Sequence, residues 1–280
     1  MFRSLAPGAL GAQVDGLADG LDLARRHGFE GYHFSIAEAA ELGVAQTADL
    51  AERAGVRLSA WGFPTNFRQD EATYEADLAR LPALAEVAAE LGVLRTATWI
   101  APASDELTYE ENFRFHVARL KPCAAVLAAH GIRLGLEYVG PKTAWSTKKY
   151  PFAHTMQQMG ELCAAVGSNV GFLLDSWHWY TSEESADDLR ALSVEQIVDV
   201  HVNDAPAGVA VDEQMDNRRT LPGETGVIDI VAFLSTIRQI GYEGPVMVEP
   251  FSERVRQMDR EDAVAATALA LNDVWVQAGI

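Results

Sequence analysis

Four short apolar runs in the second half of the chain each end in a residue able to bind a metal: LGLE at Glu137, FLLD at Asp175, VDVH at His201 and VMVE at Glu249. A carboxylate at the tip of a buried strand is costly to desolvate, so it is paired, protonated or bound to a cation. Four such tips in succession point to one shared site. Three carboxylates and one imidazole suit a single divalent cation, with Mn²⁺ or Mg²⁺ favoured by the oxygen-rich set and Co²⁺ or Zn²⁺ also admitted. The plainer reading makes them isolated rim carboxylates in salt bridges. With 22 Lys+Arg against 40 Asp+Glu, it must find cations that the chain largely lacks.

Positioning these four requires four neighbouring strands, and the rest of the chain supplies the frame. Apolar runs fall at 2–5, 31–35, 56–61, 94–99, 132–137, 170–175, 197–202 and 245–249. Amphipathic stretches at 15–27, 38–54, 72–91, 109–130, 153–166, 186–193, 227–240 and 259–277 alternate with them. Strict alternation of eight with eight predicts an α/β protein, a (β/α)₈ TIM barrel over residues 1–280 as one domain. A doubly wound sheet would carry a glycine fingerprint after its first strand, and no GxGxxG is present. Gly28, Gly55, Gly92, Gly131 and Gly241 each follow a helical stretch as left-handed caps. On a barrel the strands ending at Glu137, Asp175, His201 and Glu249 are the fifth to eighth, so their tips form an arc on the catalytic rim. The longest connection, 203–226, follows His201 and is expected to cover the site.

The formal charge of −18 argues against nucleic acid or an anionic membrane as partner. Cys123 and Cys163 lack a CxxC spacing and read as small hydrophobes in a reduced compartment. No apolar stretch reaches membrane-span length and the N-terminus lacks a signal-peptide core, so the expected location is cytoplasmic. The C-terminal ALALNDVWVQAGI is apolar enough to pack on the barrel or on a partner subunit, which leaves a homo-oligomer open.

The segments LGLEYVGPKT, LLDSWHWY, VHVND, RTLPGETGVID and VMVEPF, with the opening FRSLAPGALG and HGFEGYHF, resemble the sugar phosphate isomerase/epimerase family of xylose isomerase-like TIM barrels. Its relatives include ketose 3-epimerases and inosose isomerases and dehydratases. The resemblance implies that Glu137, Asp175, His201 and Glu249 hold one divalent cation. It also implies that Glu137 and Glu249 serve as acid/base residues on opposite faces of the substrate. His178, three residues after Asp175, corresponds to a substrate contact beside the metal. A substrate-binding arginine is implied at Arg218 or Arg219, with Arg219 favoured. Glu224 of the PGETG turn reads as a rim residue. One departure stands out. In the ketose 3-epimerases a second glutamate follows the fifth-strand ligand, and here Lys142 lies in that stretch, suited to a phosphate, carboxylate or carbonyl oxygen, or equally to solvent. Among rim residues, Trp61 and Trp99 are expected as flat pocket walls, and His33 at the tip of the second strand is expected to face the pocket.

The leading expectation is a metal-dependent isomerase or epimerase of a sugar, cyclitol or sugar phosphate. It would abstract the proton next to a carbonyl and pass through a cis-enediolate. The alternative is a lyase or dehydratase on the same scaffold, removing a β leaving group from a keto-sugar, 3-keto-glycoside or inosose. A three-metal DNA-repair nuclease would need more strand-end histidines and a basic face. A non-catalytic barrel would be expected to have lost a ligand.

Overall fold

The structure is a computed structural model describing residues 1–280. Its eight long strands are β1 (Phe2–Leu5), β2 (Gly31–Phe34), β3 (Arg57–Gly62), β4 (Arg95–Trp99), β5 (Arg133–Glu137), β6 (Val170–Asp175), β7 (Ile197–Val202) and β8 (Pro245–Val248). All pair in parallel with their sequence neighbours, and β8 returns to β1 to close the barrel. Each expected apolar run became a strand within a residue of its expected ends, because both faces of a barrel strand are buried and the run therefore reads as continuous.

The helices were equally legible except in one place. The stretch expected as one helix over 38–54 is two, Ile36–Leu42 and Val44–Ala54, separated by Gly43 at φ +84° and ψ 152°. Such a conformation is open to glycine and strained for other residues, and it turns the chain between the two. Side-chain caps mark other starts: Ser35 accepts from the Glu38 N–H, and Thr108 and Glu111 form a reciprocal capping box. A two-stranded antiparallel pair, Ala103–Ser104 with Tyr150–Pro151, ties the loop after β4 to the loop after β5. At two residues per strand it leaves no periodic trace in the sequence.

The long connection 203–226 is ordered at its base. Asp204 and Thr220 form an antiparallel bridge. The Asp204 carboxylate accepts from the N–H groups of Thr225, Gly226 and Ile228 at 2.7–3.0 Å. A buried carboxylate holding three backbone donors satisfies groups that a loop passing under others would otherwise orphan. No helix is long and apolar enough to cross a membrane.

Candidate metal centre

Strand register brings the ligands together. Asp175 on β6 pairs with His201 on β7, and His201 pairs with Met247 on β8, two residues before Glu249. Glu137 closes β5 and pairs with Trp99 at the end of β4. One ligand atom from each of Glu137, Asp175, His201 and Glu249 falls within 4.8 Å of all the others. His201 Nδ1 stands 3.9 Å from Glu137 Oε1 and 3.7 Å from Glu249 Oε2.

Two of these atoms test whether a cation fits. Glu137 Oε1 and His201 Nδ1 are buried and have no hydrogen-bond partner. Orphaned buried acceptors are rare, and two facing one another across a carboxylate cluster are what a cation would satisfy. The electrostatics agree. Burial first, then Glu249 and Asp175, pushes the Glu137 carboxyl well above its usual range. Burial opposes charge on His201, yet the neighbouring carboxylates of Glu249, Asp199 and Glu137 outweigh it and raise the imidazole to about 10. The protein groups alone therefore leave the cluster calling for positive charge, and a divalent metal fits the donor set.

Arg219 supplies part of that charge. It is only 3% exposed. Its Nη1 donates to Asp175 Oδ2 at 2.9 Å, its Nη2 to Asp216 Oδ1 at 2.8 Å, and its Nε to the Asp216 carbonyl at 2.9 Å. Arg218 is exposed, which separates the two expected candidates. Burial would raise the Asp175 pKa, but Arg219, His178 and His201 together hold it below the usual value.

His178 is buried behind Glu137. Its Nδ1 accepts the Gly140 backbone N–H at 3.1 Å, and its Nε2 lies 3.3 Å from Arg219 Nη2, which can only donate. Nε2 also stands 3.8 Å from Glu137 Oε1 and 3.9 Å from Asp216 Oδ1. Burial, reinforced by Arg219, lowers its pKa to about 4, so the ring is neutral. Residue 140 is glycine for a steric reason: a Cβ there would stand 2.7 Å from both the His178 carbonyl and Thr181 Oγ1. His33 lies close enough to His201 and Glu249 to feel both charges; burial and His201 hold it neutral, with a pKa of about 4.

One expected substrate contact is corrected. Trp61 has no exposed surface, and its indole Nε1 donates to the Val93 carbonyl at 3.2 Å. Trp61 pairs with Phe34 across β2 and β3 and belongs to the buried core, so it does not line an open pocket. Lys142 is half-exposed and paired with Asp212 of the long connection. Trp99 is 47% exposed at the rim, as expected. Glu224 accepts from the Leu221 N–H and pairs with Arg254 at 2.8 Å, a rim turn residue.

Sequence reasoning missed Asn203 and Asp216. Asn203 is fully buried and donates Nδ2 to Asp175 Oδ1 at 2.7 Å while its Oδ1 accepts from Arg219 at 3.3 Å. Its position two residues after His201 placed it on the same strand face, which was a usable signal. Asp216 gave none, because it lies in an aperiodic loop.

The Xylose isomerase-like TIM barrel family matches residues 21–274. The chain belongs to that family. A Xylose Isomerase domain protein from Alicyclobacillus acidocaldarius is 32% identical with full coverage of both chains and a TM-score of 0.87. The IolI protein, solved with a bound zinc atom, superposes with a TM-score of 0.78 at 21% identity over 98% of each chain, which shows the shared fold. Among curated proteins, the inosose isomerase of Halalkalibacterium halodurans is 26% identical over 70% of this chain and 67% of its own length. The 3-dehydroshikimate dehydratase of Pseudomonas aeruginosa is 31% identical over 49% of this chain, which spans only 20% of that larger protein. The curated relatives named as inosose isomerases indicate that this chain is an enzyme.

Proposed function

We propose that this enzyme is a divalent-metal-dependent isomerase or epimerase of a sugar, cyclitol or sugar phosphate, acting on the C–H next to a carbonyl. The observation that carries the reading is the convergence of Glu137, Asp175, His201 and Glu249, with Glu137 Oε1 and His201 Nδ1 buried and unpartnered. When bound, the cation would polarise the substrate carbonyl and acidify the neighbouring C–H. Mn²⁺ or Mg²⁺ is favoured by the three carboxylates. The zinc bound by the IolI neighbour supports a divalent cation of some kind.

The chain's own residues divide the remaining work. Glu137 and Glu249 come from strands at opposite ends of the ligand arc, so one removes the substrate proton and the same or the other returns one. Return to the neighbouring carbon isomerises, and return to the opposite face epimerises. His178, held neutral beside Arg219, contacts a substrate oxygen next to the cation. Arg219 holds Asp175 ionised and keeps His178 neutral. Trp99 offers an apolar wall at the rim. The expected setting is cytoplasmic, and a homo-oligomer is compatible with the exposed Leu269 and Val276 on the last helix.

A second reading, β-elimination from a keto-sugar or inosose, draws support from the dehydratase relative. It uses the same proton abstraction and differs in the substrate's leaving group. The test is turnover of inososes and ketoses in deuterated water by the Mn²⁺-loaded protein and by Glu249→Gln. Isomerisation or epimerisation places solvent deuterium at the reacting carbon, whereas elimination yields an enone. Glu249→Gln is expected to stay folded and lose turnover. A fully active Glu249→Gln protein would sink both readings.

A further inference from the structure

Arg68 lies in the connection after β3, and its surroundings are unlike those of the other rim cations named above. Its guanidinium carbon sits 4.1 Å from the Trp99 ring centroid and 4.6 Å from that of Phe67, and its Nη1 donates to the Trp99 carbonyl at 2.5 Å. Nε and Nη2 donate to no protein group, and no carboxylate pairs with it. Lys142 is neutralised by Asp212, Arg254 by Glu224, and Arg219 by Asp175 and Asp216. Burial, and nothing else, pulls the Arg68 pKa below the usual arginine value.

The aromatic platform ties Arg68 to the metal centre. Trp99 pairs in register with Glu137, and the Ile100 N–H donates to the Glu137 carbonyl at 2.9 Å. Register partners on adjacent strands point to the same face, so Trp99 shares the inward face of Glu137 at the mouth of the barrel. Cation–π stacking on two rings fixes the guanidinium plane and leaves its outer N–H edge free, a preorganised fork for a planar or tetrahedral oxyanion. Arg68 is exposed, so that free edge meets solvent at the mouth of the barrel and is open to an arriving anion.

We propose that Arg68, seated on Trp99, is a specificity-determining residue that receives an anionic oxygen group of the substrate, a carboxylate or a phosphate ester, at the end away from the reacting carbonyl. This rests on the reading of the centre as a carbohydrate site and narrows it to substrates with an anionic tail.

The test compares Mn²⁺-loaded wild type, Arg68→Met and Arg68→Lys by titration calorimetry with three probes: a neutral inosose, 3-dehydroshikimate as a ring keto acid, and a ketose 6-phosphate. Wild type is expected to prefer at least one anionic probe over the neutral one. That preference should fall about tenfold or more in Arg68→Met, the size of one charge-assisted contact, and be partly restored by Arg68→Lys. The anionic probe that loses more distinguishes carboxylate from phosphate. Equal loss for all three probes, or no anionic preference in wild type, would overturn the proposal. If Glu249→Gln is inactive while Arg68→Met leaves the preference intact, the anion subsite falls and the reaction class stands. An active Glu249→Gln protein would remove the reaction class itself.

Discussion

Arg219 and Asp175 form a buried pair, Nη1 to Oδ2 at 2.9 Å, at the edge of the cluster of Glu137, Asp175, His201 and Glu249. The pair holds one ligand ionised before any metal binds, and Asn203 locks the other oxygen of the same carboxylate at 2.7 Å. Preorganisation of this kind lowers the cost of assembling the site around a cation.

Removing Arg219 strands its partners. Arg219→Gln is expected to destabilise the metal-free protein by about 3–5 kcal/mol, the usual effect of breaking a buried ion pair. The loss should shrink when Mn²⁺ is present, because added positive charge compensates the uncovered carboxylates. Denaturant unfolding with and without metal measures both values. An equal loss in the two conditions would refute the coupling.

Metal affinity should rise with pH. Burial and the neighbouring carboxylates raise the Glu137 carboxyl above its usual range, and His201 is raised to about 10, so at neutral pH His201 carries a proton that a cation must displace, and the raised Glu137 adds to that competition. The unliganded protein thus binds more protons than the loaded one, and affinity increases as pH climbs toward those values. Calorimetry of Mn²⁺ binding at pH 6 and pH 8 in buffers of different ionisation enthalpy reads the proton release directly. A pH-independent affinity with no released proton would count against Glu137 and His201 as ligands.

The two tryptophans should separate cleanly. Trp61→Ala removes a fully buried ring and its bond to Val93, which costs about 3–5 kcal/mol by the usual range for large core truncations. Trp99→Ala removes a half-exposed rim residue, so stability should change by less than about 1 kcal/mol, while KM for the substrate rises. Thermal melts and steady-state kinetics on both variants decide the matter. A Trp99→Ala protein with unaltered KM would take Trp99 out of the substrate pocket.

Glu184 predicts a pH-dependent stability term remote from the ligands. Its Oε2 accepts from Tyr138 at 2.5 Å and its Oε1 from the Met156 N–H at 2.6 Å. Burial raises its pKa to about 7, offset in part by those two bonds. A carboxyl whose pKa is higher folded than unfolded binds more protons in the native state. Its penalty is absent below the model value of 4.5, grows from there to about 7, and is then constant. Glu184→Gln should therefore gain roughly 2 kcal/mol on wild type between pH 5 and pH 8. Parallel stability curves for the two proteins would contradict the raised pKa.

The barrel and its ligand set could be read from the sequence because both are local signals. An apolar run of strand length, repeated eight times between amphipathic stretches, leaves little choice of fold, and a charged residue at the end of such a run is conspicuous. Asp175, His201, Glu137 and Glu249 each announce themselves within six residues of their own strand. What the sequence could not decide depends on distance and direction across elements. Trp61 and Trp99 both end apolar runs, and only the packing around them buries the first completely and leaves the second 47% exposed. Lys142 and Arg219 are both basic residues near a ligand. Asp212 pairs with the first and Asp216 with the second, in a loop with no periodicity to betray its path. Side-chain type is written in the chain; which partner neutralises a charge, and how far a ring is buried, is decided by packing.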